Sequence, residues 1–313
     1  MRKPKCTPRH PSGILVLVFI VSHVKVYRMV FKTIALIANT SKEEAASQAV
    51  KLTGWLKDKG VLVKIAHEDA TVLKCDGLAC KKEQLITGTD LIITLGGDGT
   101  VLRAVNILQG EQIPILAVNY GKFGFLQEVE PSNLYEDLEL VLQGKYEVEE
   151  RTLLEARFDN RRQLVLNDLV LTHDGFRVIS LKTYINGTFF YEYAADGLAV
   201  ANPTGATAYC LSAGGPIVNP QAKVNILTPI NPHSLMNRSI ILDSNDTVDI
   251  KVASISGNLK ISADGIDLYK GEPVDVQITG SDEKVKLLKL KPSDFFGFLR
   301  KKLVILCGAN GVN

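Results

Sequence analysis

The chain has 313 residues, of which 46% are hydrophobic and 22% are charged, so it is long enough for two domains and can bury a large core. There are 36 lysines and arginines against 34 aspartates and glutamates, and this near balance gives no reason to expect nucleic acid or an anionic membrane as a partner. The five cysteines are scattered and odd in number, which predicts free thiols in a reducing cytoplasm and no zinc site.

Residues 1–28 are predicted to be an extension outside the fold. A basic start precedes a short apolar run at residues 14–21, which is too short to span a bilayer but resembles the core of a signal peptide. No clean cleavage site of small residues follows it. From Met29 onward, "MVFKTIALIANTSKEEA" already reads as a complete first strand, loop and helix. We therefore expect an upstream mis-assigned start and take Met29 as the natural one.

Residues 29–150 alternate between predicted strands and helices. The first strand, "KTIALIAN", is followed by a helix that Thr40 or Ser41 would cap and that Gly60 would end. The strands "VLVKIA", "DLIITL" and "IPILAVNY" follow, with the helices "TVLRAVNILQ" and "PSNLYEDLELVLQGKY". Continuous apolar strands separated by helices indicate a Rossmann-like α/β domain with a parallel sheet. Ligands bind beyond the carboxyl ends of such strands, where glycine loops occur at residues 96–99 and 121–124.

Residues 151–290 are predicted to form a mainly β domain of sandwich type. Short runs such as "RTLLEARF", "VISLKTYING", "LKISADGIDLYKG" and "VDVQITGS" are bounded by Asn, Asp and Gly, and helical patterns are scarce. The last segment, residues 291–313, contains "PSDFFGFLRKKL", which is helical in pattern and is expected to pack back on the α/β domain.

The loop "GGDGT" places Asp98 among glycines directly after a buried strand. Glycines let the backbone approach a ligand closely, and free N–H groups at the start of the next helix can bind phosphate oxygens. Phosphate would repel a carboxylate there unless the carboxylate accepts a proton from an attacking hydroxyl or helps to hold Mg²⁺. The alternative is a tight turn in which Asp98 caps the helix. The loop is neither a dinucleotide fingerprint nor a P-loop.

Two further stretches have polar residues in unusual places. In "ADGLAVANPTGATAYCLSAGGPIVNP", Thr207 to Ser212 is expected to form one helical turn with free N–H groups and hydroxyls, against which a base or a sugar could lie. In "LNDLVL", Asn167 and Asp168 interrupt an apolar strand, and they could present an amide and a carboxylate to an adenine edge or a ribose diol. Alone, the first would read as a glycine-rich crossover and the second as a bulge or turn.

Together the three stretches resemble the NAD kinases in order and spacing, from Met29 to the C-terminus. The matching segments are "LGGDGTVLRA", "NYGKFGFLQEV", "RTLLEARF", "LNDLVL", "ADGLAVANPTGATAYCLSAGGPIV" and "LTPINPHSLMNRSIIL". GGDG is shared with lipid kinases and phosphofructokinases, whereas the long "DGLAVANPTGATAY" segment is specific. The resemblance implies transfer of the γ-phosphoryl group of ATP, or of polyphosphate, to the 2′-hydroxyl of the adenosine ribose of NAD.

The resemblance also implies roles for individual residues. Asp98 would be the general base, the loop of Gly96, Gly97 and Gly99 would approach the phosphates, and Arg103 could reach a phosphate oxygen. The remaining NAD contacts would come from residues near the adenine, the ribose and the nicotinamide: Phe125, Asn167, Asp168, Asp196, Thr207, Ala208, Tyr209 and Ser212. Mg²⁺ would arrive with the nucleotide rather than in a protein cage. A cytoplasmic homodimer or homotetramer that binds NAD and ATP, but no nucleic acid and no membrane, is expected.

The chain departs from the family pattern in several places. Asp168 stands where the family commonly has Glu, and Ala194 and Ala195 stand where many members have a basic residue, whose role could pass to Arg177. Ala206 replaces a usual Ser, and Ile266 replaces a common Gln. Two rival hypotheses remain at this stage: a kinase of the same superfamily that acts on a lipid or a sugar, and a regulatory module that senses NAD(H) without turnover.

Overall fold

The computed structural model describes residues 30–121, 124–292 and 294–306, and for residues 303–306 it describes the backbone alone. The predicted extension at residues 1–28 therefore lies outside the described residues. The cysteines of the described ranges, Cys75, Cys80 and Cys210, are free thiols. Within these ranges no helix is both long enough and apolar enough to cross a bilayer.

The first half of the chain is an α/β domain built on parallel strands. Its strands are β1 (Thr33–Ala38), β2 (Leu62–Ala66), β3 (Ala79–Cys80), β4 (Leu91–Gly96) and β5 (Ile115–Asn119). They are ordered β5-β4-β1-β2-β3, and each neighbouring pair is parallel. Every residue of β4 is buried because helices cover both faces of the sheet, so the predicted parallel α/β fold is confirmed.

The helices of this half are α1 (Glu43–Asp58), α2 (His67–Val72), α3 (Lys82–Ile86), α4 (Asp98–Leu108) and α5 (Leu134–Leu142). Helix α1 begins one residue after Lys42, and no side chain caps it, so the prediction that Thr40 or Ser41 is the N-cap was wrong. Gly60 follows the end of α1 with a φ of 78°, a conformation that glycine adopts without strain. The short α2, β3 and α3 escaped prediction because segments of two to six residues show no clear periodicity.

The second half of the chain is mainly β. Its strands are β6 (Glu147–Phe158), β7 (Arg161–Val165), β8 (Asp168–His173), β9 (Ile179–Ile185), β10 (Thr188–Ala195), β11 (Gly197–Ala201), β12 (Val224–Ile230), β13 (Ile240–Asp243), β14 (Val248–Ser254), β15 (Leu259–Ala263), β16 (Ile266–Gly271) and β17 (Val276–Lys289). One sheet has the order β13-β12-β11-β8-β15-β16, and it faces strands β6, β9, β10, β14 and β17 across a shared apolar core. The predicted mainly β domain is confirmed.

Strand β17 joins the two halves, because it pairs with β14 and β6 and then runs parallel to β5 at Leu287. The parallel strands and half of the β domain therefore form one sheet of eleven strands. Strand β6 likewise extends across residue 150, so both long strands tie the halves together. Helix α7 (Phe295–Leu306) follows β17 and places Phe295 and Phe298 against Phe125, in the loop after β5.

Candidate active site

The Asp98 loop lies at the carboxyl end of β4, where this buried strand meets the start of α4. Gly97 occupies the position before the helix, and Asp98 is its first residue, so the carboxylate projects from the helix N-terminus. Asp98 makes no capping bond to its own helix, which contradicts the alternative that it serves as a cap. Its bonds go to another loop.

The carboxylate of Asp98 accepts three hydrogen bonds from the segment after β5. The N–H of Phe125 donates to Oδ2 at 2.8 Å, and the N–H of Leu126 donates to Oδ1 at 3.1 Å. The amide of Gln127 also donates to Oδ1, at 3.1 Å. A carboxylate oxygen has about two lone pairs, so Oδ2 keeps one that can accept a further proton.

Gly124 permits this contact between the two loops. A Cβ at Gly124 would lie 2.3 Å from Asp98 Oδ1 and 2.8 Å from its Cγ, so a side chain would displace the carboxylate. The backbones of the two glycine loops also approach closely, because a Cβ at Gly121 would lie 2.8 Å from the Cα of Gly97. Both loops are at strand ends, as the sequence predicted.

A cavity of about 390 Å³ lies over the Asp98 loop. It is lined by backbone and polar side chains from three strand ends, namely Asn39, Thr40, Ser41, Lys42, Gly97, Gly99, Thr100, Arg103 and Gly121. The ammonium of Lys42 donates to the carbonyl of Tyr120 at 2.7 Å, at the edge of this cavity. With two cationic side chains and the start of α4 around it, the cavity suits an anion such as phosphate.

Arg103 is one turn into α4 and forms an ion pair with Asp69 of α2. Asp69 is buried, and the same Oδ2 also accepts the N–H of Ala38 at 2.9 Å, at the end of β1. The pair fixes the guanidinium beside the cavity. The sequence placed Arg103 near the phosphates but gave no sign of Asp69.

Asn167 lies in the break between β7 and β8, directly before Asp168. Asp168 is the first residue of β8 and is buried, with 4% of its surface exposed. Its Oδ2 accepts the N–H of Tyr209 at 3.1 Å, so the structure brings together two segments that the sequence singled out separately. Asp264, in the turn after β15, accepts the N–H groups of Leu166 and Asn167 at 2.8 and 2.7 Å and thereby holds the break open.

Two carboxylates are thus close to one another beneath this segment. Burial raises the pKa of Asp168 to about 7, and the negative charge of Asp264 adds to the shift, whereas hydrogen bonds from the Tyr209 and Cys210 N–H groups oppose it. Burial also raises the pKa of Asp264 to about 6, whereas the hydrogen bonds that its carboxylate accepts from backbone N–H groups lower it. Around neutral pH, Asp168 can therefore be protonated and donate a hydrogen bond, or be ionised and only accept hydrogen bonds.

Asp168→Asn is expected to stabilise the fold at alkaline pH. A carboxyl whose pKa is raised on folding stabilises the protein fully below its unfolded pKa, and this contribution is lost as the pH rises through about 7. The amide still accepts from Tyr209 but cannot ionise, so the free energy of unfolding should rise by about 1–3 kcal/mol at pH 8. Urea denaturation at pH 5 and pH 8 measures the difference, which should shrink at pH 5.

Asp264→Asn is the matched control, because both oxygens of Asp264 accept backbone N–H groups and an amide NH₂ would face one of them. It should destabilise the protein at both pH values. An Asp168→Asn protein no more stable than the parent at pH 8 would contradict the account.

The segment Thr207 to Ser212 does not form the single helical turn that was predicted. A 3₁₀ turn covers Gly205–Thr207, and a separate short helix, α6, covers Tyr209–Ser212, because Ala208 adopts φ −99° and ψ −129° between them. The break turns the Tyr209 N–H toward Asp168. Tyr209 and Ser212 are exposed, and Thr207 and Ala208 are half-buried, so this surface remains accessible to a ligand.

Asp196 and Arg177 lie on the far side of Tyr209, at a cavity of about 760 Å³. Asn231 donates its side-chain amide to Asp196 Oδ2 at 3.0 Å and thereby orients the carboxylate. The cavity is also lined by Thr172, His173, Gly175, Phe176, Val178, Ile230 and His233. Tyr209 is thus shared between the Asp168 break and this cavity.

Helix α4 connects the Asp98 loop to the Asp168 break. Its apolar face packs against Leu164 and Leu166, immediately before Asn167, in one buried cluster. At the other end of α4, Gln109 Oε1 accepts the N–H of Leu164 at 3.2 Å. The Asp98 loop and the segment before Asp168 are therefore both in contact with helix α4.

Several residues at the site were missed by the sequence analysis: Asn39, Lys42, Asp69, Gln127, Asp264 and Lys302. Asn39 and Lys42 could have been found, because they follow β1 and the carboxyl ends of neighbouring parallel strands share one edge of the sheet. No sequence motif marks the other four residues, because each reaches the site through a contact with a residue that is distant along the chain.

Comparisons with known proteins give the family of the chain. A model described as the ATP-NAD kinase N-terminal domain matches residues 34–146, and one described as the ATP-NAD kinase C-terminal domain matches residues 166–290. The NAD kinase of Caldanaerobacter subterraneus subsp. tengcongensis is 38% identical over 279 residues, which cover 87% of this chain and 99% of that protein. The NAD kinase of Geobacter metallireducens is 35% identical over 281 residues, covering 87% and 98%.

Solved structures share the fold. The yeast NADH kinase, in a crystal structure described as complexed with NADH, superimposes with a TM-score of 0.81 at 24% identity and covers 90% of this chain and 89% of that one. An Archaeoglobus fulgidus NAD kinase, described as in complex with ATP, gives a TM-score of 0.68 at 22% identity, covering 86% and 98%. The chain belongs to the NAD kinase family of phosphotransferases.

Proposed function

We propose that the chain transfers the γ-phosphoryl group of ATP to the 2′-hydroxyl of the adenosine ribose of NAD, which gives NADP and ADP. The observation that supports this most is the Asp98 carboxylate, which is oriented by three N–H donors and has a lone pair free on Oδ2. Its chain neighbours Gly97 and Gly99 line the cavity that Lys42 and Arg103 also line. In a chain of the NAD kinase family, that arrangement provides a base next to a phosphate site.

Asp98 acts as the general base in this proposal. The ribose oxygen forms a bond to the γ-phosphorus, the bond from that phosphorus to the β,γ-bridging oxygen breaks, and the hydroxyl proton passes to Asp98 Oδ2. The backbone of Gly97 and Gly99, which line the cavity, allows the phosphates to approach, and Arg103 and Lys42 balance their charge. Gly96, also expected at the phosphates, is buried at the end of β4 and does not line this cavity. Positioning and charge neutralisation supply most of the rate enhancement in phosphoryl transfer.

NAD would bind on both sides of Tyr209, along the surface near Asp168 and in the cavity at Asp196. The adenosine lies against Phe125, Asn167, Asp168 and the segment from Thr207 through Ala208 and Tyr209 to Ser212. The nicotinamide half extends into the cavity of about 760 Å³ at Asp196 and Arg177. The polar break at Asp168 supports this arrangement because it offers both a donor and an acceptor near neutral pH.

Mg²⁺ enters with ATP as part of the substrate in this proposal. The described residues include no cluster of three or more His, Cys, Asp or Glu side chains that could hold a metal ion. Bound to the phosphates, Mg²⁺ would neutralise charge on the transferring group.

The chain is also proposed to work as a cytoplasmic homodimer or homotetramer, without nucleic acid or membrane partners. Phe176 and Leu235 support self-association, because both side chains are fully exposed and would be covered by a second copy. The free thiols of Cys75, Cys80 and Cys210 support a reducing compartment.

The proposed reaction is tested by incubating the full chain with NAD, Mg²⁺ and ATP labelled in its γ-phosphate, and by locating the label with ³¹P NMR. Label on the 2′-oxygen of the adenosine ribose is the expected result. A parallel reaction with inorganic polyphosphate defines the donor range. Binding of NAD without transfer from either donor would instead favour a sensor of NAD(H).

Lys42→Met is expected to weaken donor binding. Its ammonium is at the rim of the phosphate cavity, and loss of one exposed charge contact to phosphate should raise the KM for ATP about tenfold with little change in the KM for NAD. Steady-state kinetics measure both constants. Lys51→Met, on the exposed face of α1, is the control and should change neither. An unchanged KM for ATP in the Lys42 variant would remove Lys42 from the donor site.

A further inference from the structure

Gln127 makes a contact with Asp98 that the family motifs did not indicate. Its Nε2 donates to Asp98 Oδ1 at 3.1 Å, on the oxygen that also accepts the Leu126 N–H. Its other amide atom, Oε1, is buried and has no hydrogen-bond partner among the described residues. The amide nitrogen of Gln127 is therefore hydrogen-bonded, and its amide oxygen is not.

An unsatisfied buried oxygen destabilises a fold, and apolar side chains of similar volume avoid that cost. The buried Oε1 gains no stability from a partner among the described residues, whereas Nε2 bonds to the proposed base. Buried polar groups without partners deserve such an explanation, and active sites are where they are tolerated.

We propose that Gln127 is a positioning residue that fixes the rotamer of Asp98, so that Oδ2 faces the ribose hydroxyl while Oδ1 is held by Gln127 and Leu126. This inference rests on the proposed role of Asp98 as the base. Gln127 does not itself touch the reacting atoms. It acts together with the N–H groups of Phe125 and Leu126, which hold one oxygen each, and its loss would leave Oδ1 with a single donor and widen the range of orientations open to the carboxylate.

The C-terminal helix holds the segment that contains Gln127. The Phe125 ring packs against Phe298 and Phe295 of α7 with centroid distances of 5.1 and 6.2 Å, and Lys302 Nζ lies 3.9 Å from the Phe125 centroid. Lys302 also interacts electrostatically with Asp98, and burial lowers the pKa of its ammonium. Lys302 of α7 is thus a charged side chain that interacts with the carboxylate, whereas Arg103, on the same helix as Asp98, is paired with Asp69.

Two substitutions distinguish an effect of Gln127 on the orientation of Asp98 from an effect on packing around residue 127. Gln127→Leu removes the donor but keeps the volume, and Gln127→Glu keeps the shape but places a second negative charge beside Asp98. The control is Gln277→Leu, because Gln277 donates to Asp249 Oδ1 at 2.7 Å in the same kind of Gln-to-Asp bond on an exposed part of the β domain. Each variant is measured for kcat, for the KM of NAD and ATP, for the pH profile of kcat, and for unfolding in urea.

We expect Gln127→Leu to lower kcat about 10- to 100-fold at unchanged KM values and without loss of stability. Gln127→Glu should move the acid limb of the kcat profile to higher pH by about one unit or more, because neighbouring carboxylates share a proton. Gln277→Leu should match the parent. If Gln127→Leu does not fold, the near-isosteric Gln127→Glu still provides the test.

Unchanged kcat and an unchanged acid limb in both Gln127 variants would overturn the inference, as would a loss of stability that accounts for all of the activity change. The proposed base is tested separately through Asp98→Asn. A large effect at Asp98 together with none at Gln127 would reject the positioning role alone, whereas no effect at Asp98 would reject the proposed mechanism.

Discussion

Asp98→Asn is expected to lower kcat for NADP formation by about 10²–10⁴-fold, the range over which general acid–base catalysis contributes. The amide has nearly the same shape as the carboxylate, and its oxygen can still accept the N–H groups of Leu126 and Gln127, but its NH₂ would then face the N–H of Phe125. Some loss of stability is therefore expected, as at Asp264, and urea unfolding of the variant accompanies the kinetics. The amide cannot take the proton of the ribose hydroxyl. The Kd for NAD should change by no more than about threefold, because the loss is confined to the transition state.

The control for this substitution is Asp58→Asn, at the exposed C-terminal end of α1, which should leave kcat unchanged. Rapid quench of a single turnover separates the chemical step from product release. A kcat within about threefold of the parent, with chemistry still limiting, would exclude Asp98 as the base, since removal of a general base costs far more.

Gly124→Ala should also abolish most activity, although residue 124 contacts no reacting atom in the proposed mechanism. The new methyl carbon would lie 2.3 Å from Asp98 Oδ1, well inside van der Waals contact, so the carboxylate or the whole loop must move. Because a displacement of about 1 Å at a reacting group can cost about 100-fold in rate, we expect a loss of kcat of that order. Circular dichroism and urea unfolding would report whether the fold persists.

Gly54→Ala is the matched control for an added methyl group. A Cβ at Gly54 meets no atom within 4 Å, and the residue is inside α1, where alanine is the better helix former by about 0.5–1 kcal/mol. That variant should be fully active and slightly more stable. A Gly124→Ala protein with the activity of the parent would show that the close contact between the loops is not needed for catalysis.

The fold class was predictable from the sequence because its signals are local. The run "DLIITL" is uniformly apolar and ends in glycines, and the structure buries every residue of strand β4. The mainly β second half was equally predictable from its short strand-like runs and the turn residues between them. What the pattern could not give is the pairing of β17 with β5, which merges both halves into one sheet, because pairing between distant strands leaves no trace in either segment.

The site was predictable in part. Asp98, Asp168 and Tyr209 stand in motifs with residue types that are unusual for their surroundings, and the structure joins Asp168 to Tyr209 directly. Gln127 and Asp264 stand in ordinary-looking segments, and their contacts at the site are tertiary. Asp264 is 96 positions from Asp168 along the chain, and only folding brings its carboxylate to the break before β8. Lys302 likewise reaches Phe125 only because α7 folds back after β17.

Local conformation also limited the prediction. The segment Thr207 to Ser212 was predicted to be one helical turn, yet Ala208 leaves the helical region and the N–H of Tyr209 binds Asp168. A buried carboxylate without donors is more costly than one interrupted helical turn, so the tertiary bond overrides the local preference. Similarly, Thr40 and Ser41 are good N-cap residues, but α1 begins after Lys42, whose side chain turns to the carbonyl of Tyr120 instead.

The most direct test of the account is to incubate the full chain and its Asp98→Asn variant side by side with NAD, ATP and Mg²⁺, and to follow NADP with an NADP-specific dehydrogenase. We predict that NADP accumulates with the parent chain and falls to a small residual rate with the variant, while both proteins bind NAD with similar affinity. Equal rates of NADP formation by the two proteins, or none by the parent with any donor, would contradict the assignment of Asp98 as the base of an NAD kinase.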